Sequence, residues 1–247
     1  PCVEHIENLT SKQGGDNEKL IFKILKRGDK LNLETASGEN DLVDSGLRYD
    51  LTLPLSRYYA NNAANLPSPF KALQMGSVWR ADRPQKGRFR QFVQCDIDIL
   101  GDPTSLAEIE LILATTAALS KICPDNAFTV RINDREILKG MALYCGFPED
   151  SMDQVFITLD KMDKIGLEGV EKELLESGYQ KECVDKYLDM LKNVTRNADG
   201  VRALGQKLAD VMPLEVSRNL AHIMDTVTEV SEADFGLEFD PTLVRGM

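Results

Sequence analysis

Val78-Trp79-Arg80-Ala81-Asp82-Arg83-Pro84-Gln85-Lys86-Gly87-Arg88-Phe89-Arg90-Gln91-Phe92 is the stretch from which the rest of the chain can be read. Phe70 to Ala81 and Phe89 to Leu100 are long and apolar enough for two strands, and Pro84 and Gly87 mark a charged turn between them. The stretch therefore predicts a β-hairpin. On the second strand a two-residue period puts Phe89, Gln91, Val93, Cys95, Ile97 and Ile99 on one face, which is largely apolar. Arg90, Phe92, Gln94, Asp96 and Asp98 share the other. Polar groups on one face of so apolar a strand are costly unless they meet a ligand or each other. From Lys71 to Asp98 six Lys/Arg stand against three Asp, a local net of +3 in a chain of net charge −11. The island predicts a local anionic ligand, while the overall charge argues against broad, nonspecific nucleic-acid binding.

Upstream, Leu20 to Leu25 reads as a strand, and Leu47-Arg48-Tyr49-Asp50-Leu51-Thr52 as another. Alternation would place Arg48, Asp50 and Thr52 on one face of the latter and Leu47, Tyr49 and Leu51 on the other. Pro54 to Asn62 fits a helix with Pro near its first turn. Downstream, Ser105 to Lys121 reads as a helix that Thr104 can cap. Phe128 to Ile132 reads as a strand, and Asn133 to Tyr144 as a helix ended by Gly146 and Pro148. Residues 134–234 carry 12 Lys/Arg against 21 Asp/Glu, with apolar residues at helical spacing. Val184, Tyr187, Leu188 and Leu191 are one such set, and Leu220, Ile223 and Met224 another. These features predict an α+β chain: a sheet-forming core over 1–139, a helical module over 140–232, and a return to the core over 233–247.

Hydrophobic residues make up 43% of the 247 and charged residues 28%, ordinary values for a soluble globular protein. No apolar run approaches the roughly 18 residues of a membrane span. The chain opens Pro1-Cys2-Val3 rather than with Met, so a native N-terminus and any targeting signal with it are expected to have been removed. Cys2, Cys95, Cys123, Cys145 and Cys183 are odd in number and show no CxxC spacing. Reduced thiols and a cytoplasmic location are expected, not a disulfide framework or a zinc site. His5 and His222 sit in no metal-type or triad-type arrangement. Chemistry here must run on carboxylates, arginines and positioning.

The hairpin resembles motif 2 of class II aminoacyl-tRNA synthetases in the form that histidyl-tRNA synthetases use, over a dozen positions with ordered charges. Three further segments agree in order and distance. Residues 47–52 resemble the family's amino-acid-binding strand, and Gln94-Cys95-Asp96-Ile97-Asp98 the continuation of motif 2 that meets the amino acid. Leu243-Val244-Arg245-Gly246-Met247 resembles the start of the histidine-specific segment, and Pro1 the proline of motif 1. The resemblance implies an antiparallel class II sheet flanked by helices, with a helical insertion domain, and a homodimer in the intact parent. It places the family's remaining parts outside these 247 residues: the motif 1 helix, the tyrosines of the histidine-specific segment, motif 3 and the anticodon-binding domain. Alone, the 247 residues are expected to form adenylate feebly and to charge no tRNA.

The implied chemistry joins histidine to ATP as histidyl-adenylate and then moves the histidyl group to tRNA(His), with Mg2+ accompanying ATP. Carried over residue by residue, the catalytic positions are Arg80 and Arg245, both aimed at the α-phosphate. Asp50, Leu51, Thr52, Gln94, Asp98 and Arg245 are the histidine-binding positions, Asp98 at the ring and Asp50, Thr52 and Gln94 at the ammonium. Arg80, Asp82 and Arg88 are the ATP-binding positions, with Asp82 nearest any magnesium; no cluster of protein ligands for a metal is expected. Asp50 and Asp98 stand where many bacterial members carry Glu. Arg48, Arg90 and Asp96 are expected to support these contacts from behind, although Arg48 and Arg90 could instead pair with the aspartates. A second class stays open: synthetase-like regulatory subunits of ATP phosphoribosyltransferase, which bind histidine without charging tRNA. Those usually lose parts of the ATP hairpin or the histidine arginine, whereas Arg80, Arg88 and Arg245 are all present here.

Overall fold

The computed structural model describes residues 1–10 and 16–244. Chain contacts divide it into two compact units, 1–103 and 104–247.

In the first unit, β1 (Val3–His5) leads into α1 (Ile6–Thr10), followed by β2 (Lys23–Leu25), α2 (Glu39–Leu42) and β3 (Val43–Leu47). These strands form an antiparallel sheet in the order β1-β3-β2, with Glu4 opposite Gly46 and Lys23 opposite Gly46 on the other side. Gly46 has to lack a side chain, because a methyl there would meet the Leu9 side chain at 2.7 Å and the Phe22 carbonyl oxygen at 3.1 Å. Helix α3 (Thr52–Asn62) then precedes the hairpin of β4 (Phe70–Trp79) and β5 (Gln91–Leu100), paired in register from Phe70↔Leu100 to Trp79↔Gln91.

Two expectations need correction here. Residues 47–52 do not form a strand: β3 ends at Leu47, and the chain bends through 48–51 into α3. The Asp50 carboxylate accepts the Leu53 N–H at 3.0 Å and so satisfies one orphan donor of the helix start. Arg48, Asp50 and Thr52 consequently do not share a strand face. Likewise only Lys23–Leu25 of the expected strand from Leu20 is extended, Asp16–Leu20 being a 3₁₀ turn. The hairpin holds a further surprise. Its apolar face is the open one, with Leu73, Met75 and Val93 each about two-thirds or more exposed (68%, 73% and 65%). The polar face of β5 is half-buried.

The second unit contains α4 (Leu106–Ile122), β6 (Thr129–Ile132), α5 (Arg135–Cys145), α6 (Met152–Leu159) and α7 (Met162–Glu176). It continues through α8 (Lys181–Asn193), α9 (Ala198–Lys207), α10 (Leu214–Val230) and β7 (Gly236–Phe239). Strands β6 and β7 pair in parallel. The helical spacing read from the sequence marks the core: Val184, Tyr187, Leu188, Leu191, Leu220, Ile223 and Met224 are all buried. Helix α5 joins that core through Ile137, Leu138 and Met141, and Phe239 of β7 is buried in it too. Ile109 of α4 packs with Ile223 and Val227 of α10. The division by contacts therefore falls after Pro103, and α4, β6 and the start of α5 group with the helical part, whereas the sequence suggested a boundary at 139/140.

Candidate active site

Three hydrogen bonds seat the 48–51 bend on the end of β4. The Trp79 N–H donates to the Arg48 carbonyl at 3.1 Å, Arg48 Nε donates to the Ser77 carbonyl at 2.8 Å, and Arg80 Nε donates to the Tyr49 carbonyl at 3.3 Å. Gly76 makes room for this arrangement, since a methyl at that position would stand 2.5 Å from Arg48 Nη2 and 3.5 Å from Leu51 Cδ2. The bend thereby brings Asp50 close enough for its charge to act on Asp96 of β5.

Arg80 is fixed on three sides. Beyond the bond to Tyr49, its guanidinium carbon lies 4.3 Å from the centre of the Tyr49 ring and 5.1 Å from that of Phe92. Stacking on aromatic faces suits the flat, weakly hydrated guanidinium and leaves the donors on its edge pointing outward.

The polar face of β5 presents Gln94, Asp96 and Asp98, each half-buried. Gln74, across the hairpin on β4, donates from Nε2 to Asp98 at 3.3 Å. The Oε1 of Gln94 is buried and has no hydrogen-bond partner among the described residues. Burial first, then the charges of Asp98 and Asp50, raise the Asp96 carboxyl above the ordinary carboxylate value, with Arg80 pulling the other way. Of the alternative in which Asp50 and Asp98 pair with Arg48 and Arg90, the contacts give Asp98 to Gln74 instead. Arg48 is tied to Ser77 and to the Pro1 carbonyl, and Arg90 donates to the Asp82 carbonyl.

The hairpin turn is closed by reciprocal bonds between Gln85 and Arg88, with Gly87 at φ 78°, a value that favours Gly at the third position of such a turn. Arg88 Nη1 lies 3.5 Å from Asp82 Oδ1, so these two ATP-binding candidates form an ion pair with each other. Among the described residues no group of three His, Cys, Asp or Glu could hold a metal.

Of the expected site residues, Arg80, Asp50, Gln94 and Asp98 thus gather around one face of the hairpin. Thr52 is exposed at the start of α3. Leu51 is 3% exposed and its side chain belongs to the core, which leaves its backbone as the part able to meet a ligand. Arg245 lies outside the described residues. Sequence reasoning missed Gln74, whose signal was its register opposite Asp96 between the small residues Ala72 and Gly76. It also missed a clamp in the second unit, on the segment leading to Arg245. There Asp240, 3% exposed, accepts the Thr242 N–H and hydroxyl at 3.0 and 2.7 Å and pairs with Arg131 and Arg196. Asn133 Nδ2 donates to the Leu243 carbonyl at 3.1 Å. The Asp240-Pro241-Thr242 order is an Asx-turn signature and could have been read. A cleft of about 640 Å³ lined by Arg131, Lys161, Lys164 and Asp240 opens beside this segment.

The family model described as histidyl-tRNA synthetase matches residues 1–247. A histidine–tRNA ligase of Leifsonia xyli is 41% identical over 267 residues, covering 100% of this chain and 59% of that protein. A solved histidyl-tRNA synthetase from Nostoc sp. matches with a TM-score of 0.75 at 27% identity, covering 100% of this chain and 53% of that one. A structure described as an ATP phosphoribosyltransferase regulatory subunit/histidyl-tRNA synthetase from Bacillus halodurans matches at a TM-score of 0.68 and 20% identity. It covers 99% of this chain and 58% of that one, and at that identity it shows the fold alone. The chain spans 59% of the length of the first curated relative it matches. No helix among the described residues is long and apolar enough to cross a membrane.

Proposed function

The chain belongs to the histidyl-tRNA synthetase family, and from that premise we propose that the protein carrying it activates histidine with ATP and passes it to tRNA(His). In the first step an oxygen of the histidine carboxylate attacks the α-phosphorus of ATP, the bond to the bridging oxygen breaks, and pyrophosphate leaves with the electron pair. No general base is needed, because the carboxylate is already ionised near pH 7. Alignment and charge cancellation carry the step. In the second, the tRNA terminal ribose hydroxyl takes the histidyl group and AMP leaves.

The observation that carries this reading is the Arg80 guanidinium, held by Tyr49 and Phe92 near Asp50 of the bend and the β5 face that bears Gln94 and Asp98. A cation with its stem fixed and its edge free suits an α-phosphate, and its planar fork pairs two phosphate oxygens. Asp50 and Gln94 would hold the substrate ammonium, with Thr52 at their side, and Asp98, oriented by Gln74, would meet the ring. Arg245 would approach the same phosphate from the histidine-specific segment. Arg88 and Asp82 would part from each other to meet the outer phosphates.

Asp82 is a single carboxylate, 21% exposed in its side chain, which fits a magnesium ion that arrives with ATP and takes most of its ligands from phosphates and water. Bound so, the ion would neutralise charge on the leaving pyrophosphate. A homodimeric, cytoplasmic enzyme belongs to the same reading.

The test is histidine-dependent ATP–pyrophosphate exchange by the full-length gene product and its Arg80→Ala variant. Removal of one transition-state charge contact should lower the exchange rate by about 10²-fold or more. A rate within threefold of wild type would end the assignment of Arg80. A protein that binds histidine tightly yet supports no exchange would fit the regulatory-subunit reading instead.

A further inference from the structure

Past Phe239 the chain leaves regular structure for Asp240-Pro241-Thr242-Leu243-Val244, and this stretch is anchored from two places in the second unit. At the end of β6 the Ile132 carbonyl accepts the Asp240 N–H at 2.9 Å, and the Asn133 amide donates to the Leu243 carbonyl at 3.1 Å. In the α8–α9 loop the Arg196 carbonyl accepts the Phe239 N–H at 3.0 Å. Within the stretch Asp240 Oδ1 accepts both the N–H and the hydroxyl of Thr242, and the Asp240 carbonyl accepts the Leu243 N–H at 3.0 Å. The Val244 side chain is buried in the same hydrophobic cluster as Phe239.

Backbone bonds alone can hold a turn of this length, and a carboxylate 3% exposed is a costly addition to it. Its ion pairs do not offset that cost. Arg131 Nη1 and Arg196 Nη1 stand 3.5 and 3.7 Å away on side chains 58% and 43% exposed, where pairing contributes little. What the carboxylate supplies is geometry: two short bonds from one oxygen fix the turn through Pro241. A local cost that returns geometry marks a segment built to present something accurately.

We infer that Asp240 is a positioning residue for the first chemical step: through Thr242 it sets the path of the chain that leads to Arg245, the residue next after Val244. The inference rests on the proposed function for the role of Arg245. An error of about 1 Å in a group that must meet the α-phosphate can cost on the order of 10²-fold in rate. Asp240 itself touches no reacting atom in this scheme. It acts through the arginine, and its effect should therefore depend on the arginine being there.

The test is a double-mutant cycle in histidine-dependent ATP–pyrophosphate exchange by the full-length gene product. Active sites are counted by the adenylate formed in a single turnover, so that loss of folded protein is not read as loss of rate. Asp240→Ala removes the acceptor of both Thr242 bonds and should lower kcat per active site about 30-fold, with the KM for ATP changing less than about threefold. Asp240→Asn keeps an acceptor for Thr242 and should lose only about threefold. In an Arg245→Ala background, itself slowed about 10²-fold, Asp240→Ala should cost less than about threefold more, because the group it positions is gone. Should Asp240→Ala fail to fold, Thr242→Val decides. It keeps the shape, removes one donor, and should lower kcat about fivefold, again only where Arg245 is present. Equal losses in the two backgrounds would overturn the inference, since Asp240 would then hold the fold and not the arginine. So would a loss in Asp240→Asn as large as that in Asp240→Ala, or a wild-type rate in Asp240→Ala. Each of these leaves the proposed function intact. A full-length protein without histidine-dependent exchange overturns both.

Discussion

Glu4 is 4% exposed, and burying a carboxylate is costly unless donors are buried with it. Arg57 of α3 supplies them as a fork, Nε to Oε2 at 3.1 Å and Nη2 to Oε1 at 2.9 Å, tying that helix to β1. The same residue type does different work at Arg80, where the stem is fixed by a carbonyl and two rings and the charged edge is left uncommitted. The contrast separates a structural arginine from a ligand-binding one by where its donors go. It also makes a stability prediction. Arg57→Met should keep the packing of the stem but strand Glu4, costing about 2–3 kcal/mol; water reaching the partly exposed Arg57 position holds the loss below the 3–5 kcal/mol of a fully buried pair. Urea unfolding of the variant and of Glu4→Gln/Arg57→Met would check it. A single variant as stable as wild type would mean that Glu4 finds other donors, and the double variant should recover part of the loss.

At the scale of elements, the hairpin was legible because two signals coincided: two long runs of period-2 alternation, and a turn containing Pro84 and Gly87. Helix α5 was legible for the same kind of reason. Asp134 accepts the Glu136 N–H at 2.8 Å at its start, and Gly146 ends it at φ 100°. The 48–51 bend was not legible. Its alternation of Arg48, Asp50 and Thr52 mimics a strand, and what defeats the strand is tertiary: the bond from Trp79 to Arg48, and a helix start for Asp50 to cap. Nor does alternation say which face of a hairpin is covered, and here the apolar face of β5 is the open one. In the site, the ordered charges exposed Arg80 and Asp98. Gln74 escaped because its partner is fixed by cross-strand register, not by local pattern. The notch at Gly76 is a further element-level device, for it admits both Arg48 and Leu51 against β4. Gly76→Ala should therefore dislodge Arg48, loosen the bend that carries Asp50 and Tyr49, and weaken histidine binding by about tenfold, equivalent to about 1.4 kcal/mol. Calorimetry with histidine reads this directly. Wild-type affinity in Gly76→Ala would show that the bend keeps its place without Arg48 in the notch.

For the whole molecule the question is where the chain can be cut. Composition changes near residue 134 and suggests a helical module over 140–232, but the core of that module does not respect the limit. Position 140 bisects α5, whose Ile137 and Leu138 are 0% and 1% exposed, and Phe239 of β7, also 0% exposed, lies beyond 232. All three belong to one hydrophobic cluster with Val184, Tyr187 and Leu220. Loss of a buried side chain of this size costs about 2–5 kcal/mol, and a domain has only about 5–15 kcal/mol to lose. Excising 140–232 removes three such side chains from the piece and strips their partners from the remainder. Residues 104–247 keep the cluster whole, together with the Ile109 contacts to α10 and the parallel pair β6–β7. The 104–247 piece should accordingly melt as one cooperative transition by circular dichroism, and the 140–232 piece should show helical signal without one. A 140–232 piece that melts as sharply and as high as 104–247 would mean that α5 and Phe239 only cover the helical core, and that the sequence boundary was the better one.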